Sequence, residues 1–445
     1  MKITLIMPKG NTYSFNNRSV FFKYMPDCLT MGMLFAIIKK SFPEIELEIY
    51  DETVENFDKE KIKADLVGIS SMTSTFNKAV EYARYFKSKN IPVFVGGVHA
   101  TLCPEECTLY FDSVISGLAN ESLPKLISDF KNNAMKKIYY QPEEMSFANF
   151  VHPARNIYEE KHFLGTELNM VQATYGCTNV CEFCVQPYVC CGYHQRPVDD
   201  VIEEIKEIKD TYIEFTDPNL SKDEEYLFEL CEKLKPLNKS WFAPMTISIA
   251  KNEKLLSALK DSGCEGVLIG FESVSSASIK AIKKGFNQTD GYKSAVKKIH
   301  DYGIKVTGSF VLGLDGDDES LVQNTLNFVN EAHIDYVRYT INTPYPGTSY
   351  YKKMKEEGRI IEDNYSLYDC QNCVIKPLKL SSETVEKMHK MLWKKSYSLI
   401  NVIKRLSYIK PFGKRLKEIV KNYIFGKVYI KMIFKDKEFI KSIKI

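Results

Sequence analysis

Short apolar runs of β-forming residues alternate with amphipathic helical stretches along most of this chain, and few architectures accept that pattern. Strands that alternate with helices pair parallel, with the helices covering the faces of the sheet. Ile3–Met7, Glu46–Tyr50, Leu66–Ser70, Pro92–Val95 and Ser113–Ile115 read as strands, and Leu29–Lys40 and Phe76–Ser88 as the clearest helices between them. Residues 1–135 are therefore expected to form a doubly wound α/β domain. Ligands of such a domain sit at the carboxyl ends of its strands. The junctions to watch there are Ser70-Ser71-Met72-Thr73, Gly96-Gly97-Val98-His99 and Ser116-Gly117.

Residues 136–165, rich in Tyr, Pro, Glu and Asn, lose the alternation and read as a linker. It then resumes, with strands expected at 168–174, 212–216, 242–249, 266–271, 305–312 and 335–341. The intervening helices are expected at 198–209, 223–235, 253–262, 275–284, 290–302 and 318–332, with Asp199, Asp223, Asn252 and Asp317 near their starts, where a side-chain oxygen can cap free N–H groups. Six such units over 166–376 predict a partial (β/α)6 barrel, followed by a helical, basic region at 377–445. A chain of 445 residues exceeds what one hydrophobic core normally organises.

The net charge of +3 argues against a dedicated nucleic-acid binder. The apolar start, Met1–Met7, is too short for a secretory signal and meets Pro8-Lys9-Gly10 at once, and the longest apolar run, Leu29–Ile38, is too short to span a bilayer. A cytoplasmic location is expected. In that setting the twelve cysteines point to metal or redox chemistry rather than disulfides.

Cys177-Thr-Asn-Val-Cys181-Glu-Phe-Cys184 follows directly on the first barrel strand, where barrel active sites are built. A [4Fe–4S] cluster usually takes four cysteines. Three thiolates in one loop would leave one iron open to a substrate or cofactor. A structural zinc site, or a cluster used only for electron transfer, fits the same spacing, and Cys190 or Cys191 could supply a fourth ligand.

With Phe183 before the last cysteine, this segment resembles the radical SAM superfamily motif. Gly270-Phe271-Glu272-Ser273 resembles that family's fourth-strand motif, Gly308–Leu314 its fifth strand, and Thr343-Pro344-Tyr345-Pro346-Gly347-Thr348 the segment after its sixth. The N-terminal domain resembles the flavodoxin-like cobalamin-binding domain of one branch, through Gly68-Ile69-Ser70, Val95–Thr101 and Pro104-Glu105-Glu106. The resemblance implies a [4Fe–4S] cluster on Cys177, Cys181 and Cys184, S-adenosylmethionine chelated by the open iron, and reductive cleavage to a 5′-deoxyadenosyl radical. It implies S-adenosylmethionine contacts at Phe183, Asp217, Glu272, Ser273 and Gly313, where Glu272 could instead be a strand-end carboxylate in a salt bridge and Asp217 a turn residue before Pro218. Cobalamin contacts are implied at Ser70, Ser71, Met72, Thr73, Gly96, Gly97, His99, Gly117 and Glu121, where His99 either faces the corrin or is a loop histidine whose surrounding backbone makes the contact.

Two departures stand out. The first loop, Met7-Pro8-Lys9-Gly10-Asn11-Thr12, lacks the D-x-H-x-x-G histidine that ligates cobalt in other cobalamin domains, as is usual in this branch. The acidic G-E-x-E turn is replaced by Gly117-Leu118-Ala119-Asn120-Glu121.

The implied activity is methylation of an unactivated carbon in a small-molecule, lipid or peptide substrate, with an external one-electron reductant of flavodoxin or ferredoxin type. The alternatives are a radical rearrangement, cyclisation or oxidation without methyl transfer, or a non-enzymatic iron–sulfur electron carrier or structural metal protein. A methylthiotransferase would need three more cluster cysteines in the N-terminal domain, which has only the scattered Cys28, Cys103 and Cys107. Cys370-Gln-Asn-Cys373 could approach the barrel mouth. From Lys404 to Lys444, thirteen Lys or Arg face three acidic residues. Apolar residues at helical intervals among them make contact with an anionic membrane surface an expectation, beside the plainer one of a helix packed on the barrel and a third, a basic patch for an RNA substrate.

Overall fold

The computed structural model describes residues 1–10 and 29–435, apart from 54, 56, 144–146, 148–149, 159–168, 180, 191, 283 and 285–290. Cys28, Cys191 and the last ten residues of the basic tail thus lie outside the described residues.

The first sheet is built from β1 (Lys2–Met7), β2 (Glu46–Asp51), β3 (Leu66–Ser70), β4 (Val93–Gly96), β5 (Ser113–Ser116) and β6 (Ile138–Tyr140). All pair parallel in the order β2-β1-β3-β4-β5-β6. The winding reverses between β1 and β3, which opens a crevice at the carboxyl ends of the strands. Side chains alternate between two cores. Ile3, Leu5, Leu66 and Phe94 enter one, and Ile6, Val67, Ile69 and Val95 the other. Burial on both faces explains why these strands read as nearly unbroken apolar runs. Gly68 is small because the Phe94 ring crosses it, 2.2 Å from where a Cβ would stand.

The expected linker begins with β6, which extends this sheet along β5. The strand has only three residues and no periodicity to betray it. It is held by long-range bonds, with Tyr139 Oη donating to Asp129 at 2.8 Å.

The second sheet contains β7 (Met170–Val171), β10 (Tyr212–Phe215), β11 (Ser240–Met245), β12 (Cys264–Glu272), β13 (Lys305–Leu312) and β14 (Tyr336–Ile341), all parallel with neighbours in chain order. That sequential order is the winding of a (β/α) barrel, here open, since β14 is not paired to β7 among the described residues. The strand expected at 168–174 is broken. β7 stops at Val171, and β8 (Thr174–Tyr175) turns off to pair antiparallel with β9 (His194–Gln195). The cysteine loop hangs between β8 and β9. Asp223 and Asn252 cap their helices as expected, accepting from Tyr226 N and Leu255 N. Asp199 instead lies inside its helix and pairs with Lys233, and Asp317 caps nothing, because the next helix starts at Leu321.

The C-terminal region is helical, over Ser382–Ser396, Leu399–Arg405 and Phe412–Lys435. It covers the edge strand β14. Tyr397 Oη donates to Val337 O and accepts from Val337 N, while Trp393 Nε1 donates to Tyr339 O. These bonds satisfy backbone groups that a bare edge would leave open to pairing. No described helix is long and apolar enough to cross a membrane.

Trp393 is among the largest fully buried side chains. Trp393→Ala is expected to lower unfolding free energy by about 3–5 kcal/mol in urea titrations, the usual cost of truncating a buried large aromatic.

Candidate functional site

The cysteine loop stands on a backbone that its neighbours hold in place. Asp217, buried at the end of β10, accepts from Ala173 N (3.2 Å), Thr174 N (2.5 Å) and Thr174 Oγ1 (2.7 Å). Those peptides give their N–H groups to a carboxylate instead of a strand, which is why β7 ends where it does. On the other side Arg196, also buried, donates to Gln172 O, Glu204 and Asp200, and its own N–H donates to Ala173 O. Arg155 shares the buried Glu204. Gly176 then turns the chain with φ +74, and a Cβ there would fall 1.7 Å from Gly192 O. Only glycine serves at that position.

Cys177, Cys181 and Cys184 are free, partly exposed thiols. They are close enough to influence one another electrostatically, and burial pushes Cys181 up to about 11 and Cys184 upward as well. Binding to iron removes those protons outright, as it does for any coordinating thiol. Three cysteines on one loop, near enough to act on one another electrostatically, are a donor set that suits an iron–sulfur cluster. Cys190 is no fourth partner, for it is buried in an aromatic cluster with Phe147, Phe150 and Tyr175. Phe183 packs against Ile279, Ile282, Val311 and Leu314, and Glu182 N donates to Ile282 O, which seats the loop over the ends of β12 and β13.

Glu272 closes β12 at a bulge, with φ +61. A positive φ at a non-glycine residue stores strain and is concentrated at functional sites. Its carboxylate accepts from Lys284 Nζ at 2.6 Å, and Lys284 also donates to Gly270 O. Both charges act on Cys181 and Cys184 and so face the cysteine loop. Lys284 escaped the sequence reading, because a lysine in Lys283-Lys284-Gly285 looks like solvated surface. Ser273 is buried, and its Oγ accepts from Ser275 N. Gly313 has φ +83 and, with Leu314, donates its N–H to Asp317 Oδ2, while Asp317 Oδ1 accepts from Ser278. Asp317 thus braces the fifth-strand loop instead of a helix start. Asp217 is likewise spent on the backbone, which makes it a positioning residue beneath the cysteines.

In the first domain, Ser70–Thr73, Gly96-Gly97 and Gly117 gather at the carboxyl ends of β3, β4 and β5. Ser71 N donates to Gly96 O and His99 N to Ser71 O. Gly97 has φ +95, with Ser71 O 2.7 Å from where its Cβ would be. Met72 stands exposed at the tip, and Glu121 is exposed on the next helix. Of the two readings of His99, the geometry favours the loop histidine over a ring that faces the corrin. Its imidazole is turned inward and fully buried, bonded through Nδ1 to Thr73 Oγ1, packed on Phe76 and Tyr365, and 3.7 Å from Glu106. Thr73 is spent on the same contact, and His99 Nε2, though without a hydrogen-bond partner, is buried on the Glu106 side, so the backbone at His99 is the part left open to a cofactor.

The two sets of carboxyl ends meet. Gly347, after β14, packs so closely on Leu102 O that a Cβ would fall 2.1 Å away. Asn77 Nδ2 donates to Asn364 Oδ1, and Tyr365 Oη to Glu106. A corrin on the loops of β3–β5 would therefore look toward the barrel mouth, so the arrangement fits cobalamin as well as the cluster. Cys370 lies nearby with φ +61, its thiol 3.1 Å from Tyr345 Oη, and Cys373 is buried.

Comparison with known proteins agrees with this geometry. Residues 171–329 match the radical SAM superfamily and residues 36–127 the B12 binding domain. The class follows: a radical SAM enzyme carrying a cobalamin-binding domain, whose cofactors are a [4Fe–4S] cluster, S-adenosylmethionine and cobalamin. Its relatives include proteins named as methyltransferases, beside others named as magnesium-protoporphyrin IX monomethyl ester cyclases. Bacteriochlorophyllide d C-12(1)-methyltransferase of Chlorobaculum tepidum is 28% identical over 77% of this chain and 76% of its own. Bacteriochlorophyllide d C-8(2)-methyltransferase of the same organism is 26% identical over 89% and 94%. The fold is shared with the radical S-adenosylmethionine methyltransferase TsrM from Kitasatospora setae, solved with cobalamin and a [4Fe–4S] cluster, at a TM-score of 0.65, 13% identity, and coverage of 96% and 99%.

Burial raises Asp217 to about 6, against an ordinary aspartate value near 4. A carboxyl raised on folding stabilises the protein most below its unfolded pKa, and that contribution is lost as pH rises from about 4 through about 6. The stability advantage of wild type over Asp217→Asn is therefore expected to shrink across this window and stay level above it. Urea unfolding of the cluster-free proteins at stepped pH measures it, and Asp317, raised equally, cancels in the comparison.

Proposed function

We propose that this enzyme methylates an unactivated carbon of a small-molecule substrate held between the barrel mouth and the first domain. The observation that carries the reading is the meeting of two carboxyl-end surfaces, one presenting three thiols and no fourth cysteine among the described residues, the other presenting the loops of β3–β5. When bound, the cluster and cobalamin supply the electron and the methyl carrier that the chemistry requires.

The chain positions and shields. Cys177, Cys181 and Cys184 hold the cluster, and Phe183 presents its backbone to the adenine. Glu272, oriented by Lys284, binds the ribose or the methionine end, with Ser273 and Gly313 lining the same edge. Asp217 holds the loop's base from below. Ser70, Ser71, Met72, Gly96, Gly97, Gly117 and Glu121 border the cobalamin, with Thr73 and His99 stiffening the loop behind it. The electron comes from an external reductant of flavodoxin or ferredoxin type. Two of the curated relatives are named for bacteriochlorophyllide, a tetrapyrrole, which supports a small-molecule substrate with a large apolar ring over a peptide.

Anaerobic reconstitution with S-adenosylmethionine, cobalamin, reductant and candidate substrates tests the reading. The expected products are 5′-deoxyadenosine and S-adenosylhomocysteine together, with a methylated substrate. Deoxyadenosine alone would mean radical chemistry without methyl transfer. Neither product from a fully loaded protein would reject catalysis. Glu272→Gln is expected to weaken S-adenosylmethionine binding about 10- to 100-fold, the worth of one hydrogen bond to a charged group, with cluster iron content unchanged.

A further inference from the structure

The C-terminal helix Phe412–Lys435 has two faces. Asn422 and Gly426 are buried, Arg405 from the preceding helix donates to Asn422 Oδ1, Asn422 Nδ2 donates to Asp335 O, and Glu418 turns inward to Lys305. That is the packed helix of the plainer expectation. Its outer face, however, is not simply lysine in water. Phe412, Leu416, Val420 and Ile424, spaced four apart on one line, are 67%, 49%, 51% and 43% exposed. The row is about 18 Å long at the helical rise of 1.5 Å per residue. The helix Leu399–Arg405 packs against this one and adds exposed Leu399, Ile400 and Ile403.

Lys414, Lys417, Lys421 and Lys427 are exposed on the same helix, and the sole acidic residue between 399 and 431 is the inward-facing Glu418. Scattered exposed apolar residues are ordinary, but an aligned row flanked by cations marks an interaction surface. A second copy of this chain would bring lysines against lysines across a self-complementary contact, with no outward carboxylate among the described residues of these two helices to answer them. An anionic bilayer answers both features, taking the apolar row into the headgroup boundary and the lysines against its phosphates.

We propose that this face seats the enzyme on anionic membranes, with the helix lying in the plane of the interface. The inference does not depend on the methyl-transfer reading, since binding needs neither cluster nor substrate turnover.

Co-sedimentation of the full chain with phosphatidylcholine vesicles, with and without about a third phosphatidylglycerol, tests it at low and high salt. The expected result is binding to the anionic vesicles, at least tenfold weaker to neutral ones and weakened by salt. Replacing Phe412, Leu416, Val420 and Ile424 together by Ser, all exposed and so compatible with folding, is expected to cut anionic binding at least tenfold. Lys414→Glu with Lys417→Glu and Lys421→Glu should do the same and abolish the salt dependence. Circular dichroism and thermal melting confirm that the variants are folded. No binding by wild type, equal binding to both vesicles, or unchanged binding by the Ser variant would overturn the proposal. So would a dimer in solution that the Ser variant dissolves, which would make the row a contact between copies. Binding that appears only after deletion of 436–445 would show that the chain's own end covers it, and would overturn it as well.

Discussion

A single buried carboxylate sets the geometry on which the site depends. Asp217 takes the N–H groups of Ala173 and Thr174 and the Thr174 hydroxyl, and by doing so ends β7 and turns the chain out of the sheet. Three donors on one carboxylate, in a place water does not reach, make a junction that is costly to break, because every group released is left unpaired. Arg196 fixes the adjacent carbonyls, and Gly176 makes the turn that only glycine can make. The cysteines are thus presented from a stiff base, though the loop that carries them has little secondary structure of its own. A cluster needs sulfurs held to a fraction of an ångström, and rigidity here comes from buried polar bonds rather than from the loop.

The second constraint is the meeting of the two domains at their carboxyl ends. Gly347 against Leu102, Asn77 with Asn364, and Tyr365 over His99 and Glu106 all join loops beyond the strands of one sheet to loops beyond the strands of the other. Ligand surfaces of parallel α/β sheets lie at those ends, so the contact brings the two half-sites together. Separate domains joined at their other ends could bind the same cofactors without bringing them together.

Much of this was legible in the sequence. Strands buried on both faces write themselves as apolar runs, and a cysteine triplet after a strand marks a candidate metal site by type and spacing. Asp223 and Asn252 declared their caps through their position before a helix. What was hidden depended on contacts distant in sequence. β6 is three residues long and exists because β5 offers it an edge. Lys284 is a surface lysine until the fold brings Glu272 to it. The roles of Asp217 and Asp317 were displaced from ligand and cap to backbone brace, since a carboxylate's partners are chosen in three dimensions. His99 follows a glycine turn, which left a corrin-facing ring and a loop histidine both open; the packing of Phe76 and Tyr365 on the ring, distant in sequence, decides for the latter.

The central claim is that three protein thiols hold the cluster and leave one iron for S-adenosylmethionine. The most direct measurement is electron–nuclear double resonance on the reduced, reconstituted protein with S-adenosylmethionine labelled at the amino nitrogen and the carboxylate oxygen. The account predicts hyperfine coupling of both labels to the cluster, lost when excess unlabelled S-adenosylmethionine is exchanged in. A cluster with four protein ligands and no coupling to either label would contradict it.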